Sequence, residues 1–339
     1  MASKLRNVHA RYNRKITDLR LGDYLEQWMR DGKSGWDPQT FRTYNAWLAN
    51  HVVPYLGERK VSKITPAEVR AWLRRLEDEG VGGPTRKRAL STLRSALKGL
   101  VKEEQLDRNP CDAVDPPRIK SKPICIPQPA EVLKLLKAAP LWLRALLLIA
   151  FSCTMRQGEI FALHWTQIDL EQGSILVDKS LSVGWDGKPI RKTPKTKKSL
   201  RTVFLPSITT RILHELKRHQ ESTGYAGPWV FPNADGGPLL KSNFLRRVWK
   251  PLFGACDIQY FKFHATRHTG NSILIKENED PLSISQRMGQ ADTRMTFDLY
   301  GHLFEGAARR TAKSMERGLE SLGITEQAFT EPGNGRVEP

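Results

Sequence analysis

The chain has 339 residues, with 54 Lys and Arg against 36 Asp and Glu, giving a formal charge of +18 and a pI near 9.9. Hydrophobic residues at 39% and charged residues at 27% make a globular mixture of about two-domain length, which excludes a disordered chain. The charge excess favours a polyanion, nucleic acid ahead of an anionic membrane surface; the most apolar run, Ala145 to Met155, is too short to span a bilayer, and the basic N-terminus lacks the apolar core of a secretory signal.

Residues 1–15 read as a basic arm. From Thr17 to Arg30, Leu21, Leu25 and Trp28 share one side and predict a helix. A second runs from Pro38 to Asn50, with Pro38 suited to a first turn. Thr65-Pro66-Ala67-Glu68 predicts a capped helix start, with a helix running to Glu79 and stopping at Gly80. The fourth starts at Pro84, and Leu90, Leu93, Leu97 and Leu100 form its apolar stripe. It also carries Arg86, Lys87, Arg88, Arg94, Lys98 and Lys102, and no acid from Pro84 to Lys102. That basic side is either the solvated face of a core helix or a contact to a DNA backbone. Residues 16–108 therefore form a helical domain. Six prolines between Asn109 and Pro129 mark 109–128 as a linker, because proline removes backbone donors and sets extended geometry.

The second segment opens with helices from Pro129 to Ala138 and from Leu141 to about Ser152. After Leu163 the period changes. Ser174 to Val183 is strand-like, Asp186-Gly187 carries a hairpin signal, Lys188 to Thr193 returns, and Leu200 to Leu205 predicts a third strand. From Pro206 the pattern is helical again. The segment 129–325 is thus mostly α with one small antiparallel sheet, and 326–339 is a flexible tail. Leu303, Ala307, Ala308, Thr311, Ala312, Met315, Leu319 and Leu322 predict an amphipathic helix, which docks either on a neighbouring protomer or on its own core.

Cysteines stand at 111, 125, 153 and 256, without a Cys-x-x-Cys pair or a zinc-type Cys/His spacing, and read as reduced cytosolic thiols. No Walker A, Gly-x-Gly-x-x-Gly or Gly-x-Ser-x-Gly motif anchors an ATP, dinucleotide or hydrolase reading. No clustered set of acids supports a metal-dependent transposase.

Four features of the second segment carry groups that chemistry can use. They are Cys153-Thr154-Met155-Arg156-Gln157-Gly158-Glu159 directly after the apolar helix; Lys195, in a run from Lys188 to Arg201 that holds seven bases; His264-Ala265-Thr266-Arg267-His268; and Tyr300 in Asp298-Leu299-Tyr300-Gly301-His302, ten residues after Gln290. Each alone has a plain structural reading. An arginine at a helix end pairs with an acid, a hairpin lysine is solvated, a His-x-x-Arg pair arises by chance, and a tyrosine is core or surface. Their order and spacing together carry the information.

That set resembles the tyrosine recombinase (phage integrase) family over nearly the whole chain. A motif like Thr-Gly-Leu-Arg-x-Gly-Glu is matched at Arg156 and Glu159. The hairpin lysine in a Pro-Lys-Thr context is matched at Pro194-Lys195-Thr196, and the His-x-x-Arg box at His264 and Arg267. The Leu-Gly-His motif reads Met288-Gly289-Gln290, and the nucleophile followed by x-His is Tyr300 with His302. Two departures stand out. Cys153-Thr154 occupies the place of Thr-Gly, which bears on the turn before Arg156. Gln290 can donate a hydrogen bond but cannot trade protons, so it is expected to position rather than to act as acid or base.

The resemblance implies a mainly α fold with a small antiparallel β-sheet: a helical core-binding (SAM-like) domain, then an α+β DNA breaking–rejoining catalytic domain. It implies cleavage through a 3′-phosphotyrosyl intermediate at Tyr300, with Arg156 and Arg267 stabilising the charge that builds on phosphorus oxygens. His264 would serve as base or hydrogen-bond partner and Lys195 as acid for the leaving 5′ oxygen. Glu159 would orient a base or the lysine, and His302 would support the tyrosine helix. No metal, ATP or other cofactor is expected. The expected partner is double-stranded DNA, contacted by the bases from Arg86 to Lys102 and by Lys197 and Lys198, with two linked domains closing around it as a clamp. Four copies would exchange strands through a Holliday junction, with room for accessory DNA-bending or directionality proteins. The expected place is the bacterial cytoplasm and nucleoid, and the expected origin a phage or mobile element. Only about 15 residues precede the first predicted helix, so the chain reads as a simple two-domain recombinase or a shortened one lacking an arm-binding domain. A type IB topoisomerase-like enzyme would run the same chemistry as a monomer. A non-catalytic DNA-binding protein on the same fold is the reading that Gln290 keeps open.

Overall fold

The structure, a computed structural model, describes residues 19–119, 126–194, 199–290, 315–318 and 320–321. The expectations for Lys195, Lys197, Lys198, Tyr300 and His302, for the arm 1–15, for the tail and for most of the C-terminal amphipathic helix lie outside the described residues. The chain divides into two compact units, residues 1–123 with 182–190 and residues 124–181 with 191–339.

The first unit is helical: α1 (Leu21–Gly32), α2 (Pro38–His51), α3 (Val53–Leu56), α4 (Pro66–Asp78) and α5 (Gly83–Lys102). Helix α1 was expected from Thr17 but starts at Leu21, because Arg20 is extended and pairs as a bridge with Lys60. Helix α2 starts where Asp37 accepts from the Gln39 N–H at 2.9 Å. Helix α4 starts on a capping box: the Glu68 N–H donates to Thr65 Oγ1 at 3.2 Å and the Thr65 N–H to Glu68 Oε2 at 3.0 Å. It ends at Asp78 with Glu79 as C-cap, one residue short of the expected end, and Gly80 follows at a φ of +78° that glycine adopts without strain. The α5 leucines at 90, 93, 97 and 100 are each at most 1% exposed and face the buried Leu21, Leu25, Trp72 and Leu76. Burial in that cluster stabilises the unit by about 25 cal/mol per Å² of apolar surface removed from water.

The second unit contains α6 (Pro129–Ala138), α7 (Leu141–Ser152), α8 (Gln157–Phe161), β1 (Ile168–Asp169), β2 (Ser174–Val177), β3 (Ser180–Val183), β4 (Pro189–Lys192), β5 (Arg201–Phe204), α9 (Ser207–Ser222), α10 (Lys241–Phe244), α11 (Lys250–Cys256), α12 (Ala265–Lys276) and α13 (Pro281–Met288), with the tip of the β3–β4 hairpin grouped in the first unit. Helix α7 is apolar on most sides and buries Leu143, Leu146, Leu147, Ile149, Ala150 and Phe151. It packs between α9 and α12. At the α12 crossing, a Cβ on Gly270 would lie 2.2 Å from the Phe151 carbonyl oxygen, so only glycine allows this approach. Among the described residues no helix is long and apolar enough to cross a membrane.

One sheet was expected and two form. β1, β2 and β5 make a three-stranded antiparallel sheet, with Ile175 opposite Val203 and Leu176 opposite Thr202. β3 and β4 make a separate two-stranded hairpin that turns through Gly187 at φ +80°. The run from Ser174 to Val183 breaks after Val177, and at the break the Gln167 amide donates to the Leu176 carbonyl at 3.2 Å and to the Asp178 carboxylate. The short β1 was not expected, since two residues carry no alternation to read.

Candidate active site

Arg156 sits at the turn between α7 and α8. Cys153 caps α7, Thr154 turns the backbone through φ +51°, and Arg156 is the N-cap of α8. Glu159, three residues on, accepts from the Arg156 backbone N–H at 2.9 Å and pairs through Oε1 with Arg156 Nη1 at 2.9 Å. The carboxylate is buried at 3% exposure, while the arginine side chain remains 41% exposed. Arg156 Nη2 donates to the Gly289 carbonyl at 3.2 Å.

Thr154 stands where glycine was expected and keeps the left-handed turn with a β-branched residue. Its hydroxyl is buried without a hydrogen-bond partner. The backbone strain costs about 1–2 kcal/mol and the stranded hydroxyl about 1–3 kcal/mol. Glycine would give back about 1 kcal/mol in chain entropy and about 1.6 kcal/mol for the two buried carbons it lacks. Thr154→Gly is therefore expected to raise the melting temperature by about 2–4 °C. An unchanged or lower midpoint by calorimetry would show that the strain and the stranded hydroxyl together cost no more than the entropy and packing that threonine provides.

Arg267 lies on α12 and is 3% exposed. Its guanidinium donates to the Thr154 carbonyl and, through Nη2, to the Met288 carbonyl at 2.9 Å. The two arginines therefore reach consecutive carbonyls, Met288 and Gly289, at the C-terminal end of α13. Gly289 caps that helix at φ +61°, and the Gln290 N–H follows it onto the Ser285 carbonyl at 3.0 Å. His264 leads into α12, and its ring stands 4.8 Å from His268 at 90°. The His264 imidazole titrates below the ordinary histidine value because of desolvation and the positive charges of Arg267, Arg156 and Lys241. His268 is pushed down to about 4, mainly by burial and then by His264 and Arg267. Both rings are neutral at pH 7.

Residues that the sequence reading did not single out complete the site. Arg201 on β5 is 7% exposed and pairs with Glu159 Oε2 at 2.9 Å. Arg287 donates to the Ser152 and Phe204 carbonyls at 2.9 and 3.0 Å, tying α13 to α7 and β5. Arg201 closes the basic run, but nothing in the local sequence distinguishes it from the other bases of that run. Burial works against the Glu159 carboxylate, yet Arg201 and Arg156 hold it below the ordinary carboxylate value. Glu159 thus links two arginines; no contact to a base is shown for it among the described residues.

In the first unit the basic residues of α5 divide. Arg86 pairs with Glu77 at 2.6 Å, and Arg94 reaches the Cys111 carbonyl at 2.6 Å and Asp112 at 3.1 Å. Lys87, Arg88, Lys98 and Lys102 are exposed. Among the described residues, no group of three or more His, Cys, Asp or Glu side chains could hold a metal ion, and Cys111, Cys153 and Cys256 are free thiols.

Comparison with known proteins gives concordant matches. The model of the "Phage integrase family" matches residues 128–306, and that of "Phage integrase, N-terminal SAM-like domain" matches residues 20–76. The ICEBs1 integrase of Bacillus subtilis is 28% identical over 290 residues, covering 82% of this chain and 78% of that protein. A tyrosine recombinase XerC-like protein of Caldanaerobacter subterraneus subsp. tengcongensis is 28% identical over 326 residues, covering 88% of this chain and 83% of its own. Among solved structures, the Tn1549 transposon integrase in complex with circular intermediate DNA superposes with a TM-score of 0.73 at 16% identity, over 88% of this chain and 100% of that one. A lambda integrase tetramer bound to a Holliday junction gives a TM-score of 0.62 at 18% identity, over 81% and 75% of the two chains. At such identities the structural likeness is one of fold.

Proposed function

This chain belongs to the phage integrase family of tyrosine recombinases, and we propose from that premise that it is a site-specific DNA recombinase that cuts and rejoins DNA through a 3′-phosphotyrosyl intermediate at Tyr300. The observation that best supports this reading is the tethering of Arg156 and Arg267 to the adjacent carbonyls of Gly289 and Met288. Together with the neutral His264, that arrangement suits a phosphate whose charge grows during attack.

As phosphorus becomes five-coordinate, negative charge builds on its non-bridging oxygens. Guanidinium groups stay protonated throughout and offer planar forks, so Arg156 and Arg267 stabilise the transition state more than the ground state. The Tyr300 phenol must lose its proton while attacking, and a free tyrosine holds it to a pH of about 10. His264 has the lone pair to accept it, because its depressed pKa keeps the ring neutral. The new phosphotyrosyl ester retains the energy of the broken phosphodiester, so rejoining needs no nucleotide. Lys195 protonates the departing 5′ oxygen, and Gln290 donates a hydrogen bond to phosphate. His302 supports the tyrosine segment. No proposed step draws on a metal or another cofactor.

We assign residues 16–108 as the core-binding domain, 109–128 as linker and 129–325 as the catalytic domain. Phosphate contacts fall to Lys87, Arg88, Lys98 and Lys102, with Lys197 and Lys198, since Arg86 and Arg94 are engaged within the first unit. The partner is duplex DNA. Four copies would act together, as the lambda integrase tetramer does on a Holliday junction. Accessory bending or directionality proteins and a place on the bacterial nucleoid belong to the same reading.

The test is a nicked suicide substrate bearing the cognate site, with the covalent peptide mapped by mass spectrometry; an adduct on any residue but Tyr300 overturns the mechanism. Lys195→Ala should slow cleavage by roughly 10²–10⁴-fold, the range of general acid catalysis. It should spare a 5′-bridging phosphorothiolate, whose sulfur leaves without a proton. Equal slowing of both substrates removes the lysine from the acid role.

A further inference from the structure

Arg201 lies outside the set of groups that the proposed chemistry uses, yet it is among the most connected side chains of the site. It spends both ends of its guanidinium on the Glu159 carboxylate, at 2.9 Å from Nη2 to Oε2 and 3.4 Å from Nη1 to Oε1. Its Nε donates to the Arg287 carbonyl at 2.7 Å, and Nη1 donates to the Ser199 carbonyl at 3.1 Å. A Cβ on residue 289 would lie 2.8 Å from Arg201 Nη1, so the guanidinium packs directly against the bare Gly289, which also holds φ +61°. Three pieces of chain meet here. They are the start of α8 with Arg156, the C-terminal end of α13 with the carbonyls that receive Arg156 and Arg267, and the entry to β5, six residues after Lys195. A buried carboxylate of this kind is costly unless both oxygens are satisfied by charge and hydrogen bonds. Arg156 gives one hydrogen bond to each oxygen, but its charge is 41% exposed and screened by solvent, so Arg201 supplies the buried positive charge.

We propose that Arg201 is a positioning residue for DNA cleavage: it fixes the Arg156 guanidinium by sharing the Glu159 carboxylate with it, and it locks that pair to the end of α13. Arg201 itself touches no phosphate. The inference rests on the recombinase reading and refines how its first arginine is held.

The experiment uses the full chain and a nicked suicide substrate, with cleavage rate followed at saturating DNA, half-saturating DNA concentration measured in parallel, and melting recorded for every variant. Arg201→Met keeps the length of the side chain but leaves Glu159 with Arg156 alone. The expected result is a fall of roughly 100-fold in the saturated cleavage rate, the scale of a misplaced catalytic group. Half-saturation should change little. The acid limb of the pH–rate profile should move upward, because Glu159 loses the charge on β5 that faces it and keeps only the Arg156 charge at the start of α8. Arg201→Lys, which retains charge without the fork, should fall between the two. The double variant Arg201→Met with Glu159→Gln removes the carboxylate left with only the exposed Arg156 charge and should recover part of the rate. If Arg201→Met does not fold, Arg201→Lys carries the test through the same rate and pH readouts.

An adduct formed by wild type together with an unchanged rate and pH profile in Arg201→Met overturns the positioning role alone. A loss that tracks only the folded fraction, with no shift of the pH profile, reduces Arg201 to a structural residue and also overturns it. Absence of any phosphotyrosyl adduct with wild type overturns the recombinase reading instead.

Discussion

Tyr300→Phe is expected to abolish the covalent protein–DNA adduct while leaving DNA affinity nearly intact. The substitution removes one phenolic oxygen and no charge, so the phosphate contacts that dominate binding are untouched. Chemistry loses its nucleophile. The remaining arginines would still favour charge on phosphorus, but water would have to attack without a positioned base. A fall of roughly 10⁴-fold or more in cleavage is the scale seen when a covalent nucleophile is removed from an otherwise intact site. The measurement is denaturing electrophoresis of a labelled nicked substrate, paired with a mobility shift for binding. A mutant that still becomes covalently attached would place the nucleophile elsewhere.

Arg267→Lys is the second large effect, and it separates charge from geometry. Arg267 is 3% exposed and spans two carbonyls, Thr154 and Met288, on different segments. A lysine keeps the positive charge but carries it on a single nitrogen with tetrahedral donors. It cannot bridge both carbonyls and also present a planar face to phosphate. Cleavage at saturating DNA should fall by roughly 10²–10³-fold, about 3–4 kcal/mol of transition-state stabilisation. A melting curve on the same sample checks that the α12 packing survives. Wild-type cleavage by Arg267→Lys would mean that a point charge suffices and that the fork has no part in the reaction.

Much of the local architecture was legible because it follows from neighbours in sequence. Pro129 and Pro140 bracket α6 and α7, which have the expected bounds. The Thr65–Glu68 capping box and the Gly80 stop frame α4 for the same reason. At the site, the Arg156–Glu159 pair is also local, since residues three apart at a helix start lie side by side. The order and spacing of Arg156, Lys195, His264, Arg267 and Tyr300 along the chain already resemble the recombinase pattern.

What the tertiary structure alone decided is which distant groups share an atom. Arg201 reaches Glu159 across 42 residues, Arg267 reaches Thr154 across 113, and Arg156 reaches Gly289 across 133. Those meetings depend on α12 lying against α7 through the bare Gly270 and on β5 passing under the end of α13. The same holds for Arg86 and Arg94, whose partners come from other segments, and for the run from Ser174 to Val183, whose two halves join different sheets. Periodicity and capping record the chain's own backbone geometry. A buried ion pair records how helices and strands pack, and the charges it needs can lie anywhere along the polymer.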